Sequence, residues 1–146
     1  MKKILLILVA LFSIGIIVVV ADKEKIIDKS QLPEQAQEFI NAHFAGADLL
    51  YAKEDCNIIF SSYEVRLANG VKLDFSSKGN WEEVDCNEGA VPVEIVPQPI
   101  KDYVEKNYAG ERILAIEKNC NDYEIKLSNR LELKFDKEYR LYDIDD

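Results

Sequence analysis

One histidine, His43, stands in a chain of 146 residues. No G-x-S-x-G, H-E-x-x-H or Gly-rich phosphate loop occurs. The scarcity of imidazole and the missing motifs point away from an enzyme. His43 lies far in sequence from every cysteine, which argues against a zinc site. It falls beside a helical apolar stripe and reads as a polar helix-end residue. Positive charge is also short: 18 Lys and Arg against 27 Asp and Glu leave a formal charge of −9. Such a chain is unsuited to nucleic acid and to anionic membrane surfaces. Cysteine is limited to Cys56, Cys86 and Cys120, enough for one disulfide and one leftover thiol.

The long apolar run is confined to the start. Lys2 and Lys3 precede Ile4 to Val20, and Val19-Val20-Ala21 stands before Asp22. This reads as a secretory signal cleaved after Ala21, with an uncleaved anchor as the alternative. No cysteine follows the run, so a lipid anchor is not expected. Loss of Lys2 and Lys3 takes the charge from −9 to −11. The expected location is periplasmic or secreted, with no membrane contact after cleavage.

What is present is one pattern written twice. Tyr63 to Phe75 reads YEVRLANGVKLDF, and Tyr123 to Phe135 reads YEIKLSNRLELKF. Both alternate apolar and polar residues, the period of a half-buried strand, and both break at Asn. A three-residue turn at Ala68-Asn69-Gly70 pairs Val65 with Leu73 and Tyr63 with Phe75, all facing one way. Gly70 then takes the left-handed position such a turn needs. In the second copy Ile125 pairs with Leu133 and Tyr123 with Phe135. Arg130 replaces the glycine, which predicts a more strained turn.

The context repeats too. Leu32-Pro33 opens a helix with Ala36, Phe39, Ile40 and Phe44 on one stripe. Val96-Pro97 opens another, with Ile100, Tyr103, Val104 and Tyr108. Asp48 to Asp55 reads as a strand with Leu50 and Ala52 on one face and Leu49, Tyr51 and Lys53 on the other. The charged stretch Asp22 to Gln31 reads as a lead-in or a frayed terminus. Trp81 and Phe39 are expected in one core. The fold class is α+β: two tandem α-β-β-β-β repeats forming an antiparallel sheet covered on one face by helices. The expected divisions are a signal at 1–21, a first repeat at 22–86, a linker at 87–95 and a second repeat at 96–146. In such a meander Cys56 and Cys86 end at opposite edges of the sheet, so no bridge is expected between them.

These residues resemble the PepSY-like family of β-lactamase-inhibitor-like proteins. The resemblance is carried by Leu32-Pro33, Phe39-Ile40 and Phe44-Ala45-Gly46, by the Tyr63 to Phe75 hairpin, and by Gly79-Asn80-Trp81 with Val84-Asp85-Cys86. Tyr108-Ala109-Gly110, Tyr123 to Phe135 and Tyr139 to Asp143 repeat it, with departures at Arg130 and Tyr139. It spans roughly residues 30–146. It implies an exported protein of a kind common in gut Bacteroidetes, with an extended sheet. It also implies a docking role, because related inhibitors bind an enzyme with the open sheet face and related domains are proposed to restrain peptidases.

The functional expectation is an exported, non-enzymatic binding module without cofactor or metal. It would inhibit or modulate a periplasmic or extracellular enzyme, such as a peptidase, through its open sheet face. The alternative is an acidic calcium-binding or envelope scaffold protein, with Asp143, Asp145 and Asp146 joined by Asp136 or Glu138. Candidate partner-binding residues are Tyr51, Ile58, Phe60, Arg66, Lys72 and Tyr142. Ile58-Ile59-Phe60 form an apolar insertion absent from the second copy. Arg66 opposes Lys72 and Glu64 opposes Asp74, like against like, relieved by diagonal pairs such as Arg66 with Asp74 or by a partner. The second copy opposes Lys126 to Glu132 and Glu124 to Lys134.

Overall fold

A computed structural model describes residues 23–56 and 61–146. Ile58, Phe60 and the expected signal and cleavage point lie outside the described residues. The elements follow as β1 (Lys23–Ile27), α1 (Glu34–His43), β2 (Leu49–Cys56), β3 (Ser61–Leu67), β4 (Lys72–Ser76) and β5 (Trp81–Asp85). Then come α2 (Gln98–Asn107), β6 (Ile113–Lys118), β7 (Asp122–Leu127), β8 (Glu132–Asp136) and β9 (Leu141–Asp145). All nine strands form one sheet in the order of the chain, each antiparallel to its neighbours. The fold is α+β, as the alternation predicts.

The register within the hairpins follows the apolar pattern. Val65 opposes Leu73 and Tyr63 opposes Phe75; Ile125 opposes Leu133 and Tyr123 opposes Phe135. The Leu67 N–H donates to the Val71 carbonyl at 2.9 Å and closes the three-residue loop. The Leu127 N–H does the same to Leu131 at 2.9 Å. Gly70 has φ 91°, and Arg130 holds the same left-handed region at φ 76°. A side chain is costly there because Cβ crowds the backbone.

The inward rows of both halves form one core with the helices. Phe75, Phe135, Val65, Ile125, Leu73 and Leu133 are fully buried, and Ala36, Ile40, Ile100 and Val104 close over them. Phe39 meets Phe75 edge-on at 5.7 Å and stacks on Trp81 at 6.2 Å. Tyr103 meets Phe135 edge-on at 5.4 Å, the same contact in the second half. Trp81 and Phe39 thus share one core, as expected.

Two local expectations are corrected. Lys23 to Ile27 is neither a lead-in nor frayed: it is a regular edge strand on β2, with Ile27 opposite Ala52 and buried. One inward isoleucine anchors it, and the charged residues suit a sheet edge. The faces at the start of β2 are also inverted. An irregularity between Leu49 and Tyr51 turns Leu49 toward the core and leaves Leu50 65% exposed. An extra residue in a strand shifts the alternation by one, and strict period-two reading misses this. The same irregularity recurs between Ile113 and Ala115.

Residues 87–95 do not separate two bodies of sheet. β5 pairs directly with β6, with Val84 opposite Ile116. Val91, Ile95 and Val96 are buried in the common core. The cysteines are free thiols: Cys56 and Cys120 are exposed and Cys86 is buried. Burial, assisted by Asp85, pushes the Cys86 thiol up to about 11.

Candidate functional site

Among the described residues, the helices take one face of the sheet and leave the other open. Alternation gives that face every polar residue opposite a core residue. Because all nine strands pair in order, these residues line up into rows that cross the sheet.

One row begins at Tyr51 on β2. Tyr51 opposes Arg66, Arg66 opposes Lys72, and Lys72 opposes Asp85. It continues through Ala115 and Lys126 to Glu132 and Asp145. Three of the predicted residues, Tyr51, Arg66 and Lys72, therefore stand side by side on adjacent strands. Tyr142 does not join them. It sits on β9, seven strand positions from β2, which at about 4.8 Å per strand is more than 30 Å. It is 56% exposed, and its hydroxyl donates to Asp122 Oδ2 at 3.0 Å.

The neighbouring row is acidic. Lys53 opposes Glu64, Glu64 opposes Asp74, Asp74 opposes Glu83, Glu83 opposes Glu117, and Glu117 opposes Glu124. Lys134 and then Asp143 follow. Consecutive carboxylates from β3 to β7 are thus bracketed by Lys53 and Lys134. A shallow hollow of about 140 Å³ lies where Glu83, Asp85, Glu117 and Glu124 meet Lys126 and Glu132.

The two ends of the row are differently neutralised. Glu64 accepts from the Tyr51 hydroxyl at 2.7 Å and lies 3.8 Å from Lys53 Nζ. Lys53 also reaches Glu24 on β1 at 3.5 Å. Lys72 Nζ sits 2.7 Å from both Asp74 and Glu83. The expected diagonal, Arg66 with Asp74, does not form. Lys72 relieves the like-charge pairing by turning along its own strand to Asp74 and across to β5. Arg66 makes no ion pair among the described residues. In the second half the opposition of Glu124 to Lys134 is as predicted, but Lys134 gives its contacts to Asp143 at 3.3 Å and Asp145 at 2.5 Å.

Protonation follows the geometry. Burial pushes Asp74 up to about 6, with Lys72 opposing the shift and Glu83 adding to it. For Glu83 burial works upward, but the hydrogen bonds of Lys72 and Asp74 outweigh it and hold the carboxyl below its usual range. Burial, then the nearby Glu132 and Glu117 charges, pushes Glu124 up.

The acidic end of the chain is tied to cations. Asp143 and Asp145 hold Lys134, while Asp136 holds Arg140 at 2.8 Å and Glu138 holds it at 3.2 Å. Among the described residues no group of three or more His, Cys, Asp or Glu converges to hold a metal ion. The described carboxylates do not form a calcium cage, which needs six to eight oxygens around one point. Sequence reading missed Glu83, Asp85 and Glu117. Their alternation with Val84 and Ile116 was visible, but only the β5–β6 pairing places them between the two hairpins.

The family described as "Putative beta-lactamase-inhibitor-like, PepSY-like" matches residues 61–143. No curated protein matches. Among solved structures, a putative calcium-regulated periplasmic protein of Bacteroides thetaiotaomicron is 48% identical with a TM-score of 0.82, over 84% of this chain and 97% of its own. A putative periplasmic protein of the DUF2874 family from Bacteroides vulgatus is 46% identical with a TM-score of 0.83, over 86% and 99%. A second putative periplasmic protein of B. vulgatus, of unknown function, is 36% identical with a TM-score of 0.81, over 85% and 100%. Among the described residues no helix is long and apolar enough to cross a membrane.

Proposed function

Since this chain belongs to the PepSY-like, β-lactamase-inhibitor-like family, we propose that it is a periplasmic, non-enzymatic binding module that docks a protein partner on its open sheet face. One observation carries the reading: Tyr51, Arg66 and Lys72 stand in a single cross-strand row on the face that no described helix covers. Tyr and Arg are frequent anchors of protein interfaces, and a sheet holds them rigidly. The expected partner is an envelope enzyme such as a peptidase, which the module inhibits or modulates. Tyr142 stands apart from the proposed surface, on β9.

The test is a Tyr51→Ala, Arg66→Glu variant with an unchanged melting point. A periplasmic protein captured by the wild type, and by a variant altered on the helical side, is expected to be lost by this variant. An inhibited peptidase should recover its activity in parallel. Equal capture by both variants would sink the reading.

The rival, an acidic ion-binding or scaffold protein, draws on the relative described as calcium-regulated. Here the carboxylates form a line instead of a cage. A calcium titration followed by melting separates the two: the docking reading expects no saturable rise in melting point, and a saturating rise favours the rival.

A further inference from the structure

At the middle of the acidic row, Asp74 and Glu83 face each other across β4 and β5 and share one cation. Lys72 Nζ reaches Asp74 Oδ2 and Glu83 Oε2, each at 2.7 Å. The other oxygen of Asp74, Oδ1, is buried without a hydrogen-bond partner. An acceptor removed from water and given no donor is costly, and more so when charged. Directly opposed carboxylates cannot both stay ionised cheaply.

The surroundings add little positive charge. From β3, Glu64 opposes Asp74 directly. From β5, Glu82 lines the hollows on both sides of Asp74. Glu117 and Lys118 of β6 line one of them, and Asp55 of β2 lines the other. Arg66 acts on Glu83. Lys72 is the one cation in direct contact with Asp74 among the described residues.

We propose that the Asp74–Glu83–Lys72 cluster is an acid-responsive switch of the open face, in which Asp74 takes up a proton in mild acid and passes from Glu83's repelling neighbour to its hydrogen-bond donor. The proton comes from solvent, sits on an Asp74 oxygen, and lowers the negative charge of the row by one. Lys72 is then left to Glu83.

The sign follows from linkage. Asp74 has an ordinary value of 3.8 and a folded value of about 6. Between these the folded protein holds a proton that the unfolded chain does not. Stability therefore rises as pH falls through 6, and the gain is complete near 4. The consequence for docking rests on the reading proposed above: in mild acid the face meets a partner with one negative charge fewer.

The experiment uses the protein alone. Carboxyl NMR of the full chain, with Asp74 assigned by comparison with Asp74→Asn, is expected to show a midpoint near 6. Lys72→Met should move that midpoint higher still. Melting of the wild type at constant ionic strength should rise by several degrees from pH 7.5 to 5. Asp74→Asn should lose most of that rise and melt higher than wild type at pH 7.5. Glu124 shifts the same way, so Glu124→Gln serves as the control that keeps the Asp74-dependent part. An Asp74 midpoint below about 4.5, the ordinary carboxylate range, would overturn the proposal, as would equal slopes for wild type and Asp74→Asn. Neither result bears on capture of a partner at neutral pH, so the docking reading stands or falls separately.

Discussion

Two left-handed turn positions show how one residue governs a hairpin. Gly70 and Arg130 occupy the same place in the two three-residue loops, at φ 91° and 76°. Arg130→Gly is expected to stabilise the protein by about 1 kcal/mol, because the strain it relieves exceeds the entropy that glycine adds. Urea melts giving a loss of stability would show that the arginine side chain makes compensating contacts. Gly79 presents the opposite case. It has φ 85°, and a Cβ there would lie 2.7 Å from Pro33 Cβ and 2.9 Å from the Ala36 nitrogen. Gly79→Ala should therefore cost roughly 2–3 kcal/mol, combining overpacking with backbone strain. At the matching place Tyr139 accepts φ 61° and packs its ring, tilted, against Tyr123 at 5.5 Å, so the second half solves the same turn differently.

Helices and strands divide the work between core and face. The apolar stripe of α1 meets the inward row of the first hairpin through Phe39, which touches both Phe75 and Trp81. Phe39→Ala is expected to cost about 3 kcal/mol, the lower end for a phenylalanine, because the ring is only partly buried. A loss under about 1 kcal/mol in denaturant melts would mean that the ring contributes little. β1 tests the value of an edge strand. Its one buried residue is Ile27, opposite Ala52. Ile27→Asp should detach the strand and raise amide exchange along β2, while protection in β4 stays unchanged. Uniformly increased exchange would show instead that β1 belongs to the global cooperative unit.

At the scale of the whole molecule, the duplicated pattern and the single sheet pull in different directions. The two helices each cover their own hairpin, yet Val84 meets Ile116 across the β5–β6 junction and one cluster of buried residues spans both halves. A continuous core implies one cooperative unit. Calorimetry is expected to give a single transition whose calorimetric and van't Hoff enthalpies agree. Two resolved transitions would mean that residues 87–95 do act as a boundary.

Alternation, Asn-centred breaks and Pro-led apolar stripes were enough to read the α+β class, the hairpin register and the strain at Arg130 from the amino acids alone. Those features are local: each depends on residues a few positions apart and on the fixed geometry of strand and helix. The inverted faces at Leu49 and Leu50 needed the structure, because a bulge alters the period without any distinctive residue to announce it. The same holds for β1, whose charged residues form a strand only because the edge of β2 is there to pair with them. The candidate site divides likewise. Tyr51, Arg66 and Lys72 could be assigned to one face by counting. That Lys72 would turn to Asp74 and Glu83 depended on β4 pairing with β5, and that Glu117 would extend the acidic row from the first hairpin toward the second depended on β5 pairing with β6. Pairing between strands distant in sequence is decided by burial of the common core, and only the folded sheet sets which charges become neighbours.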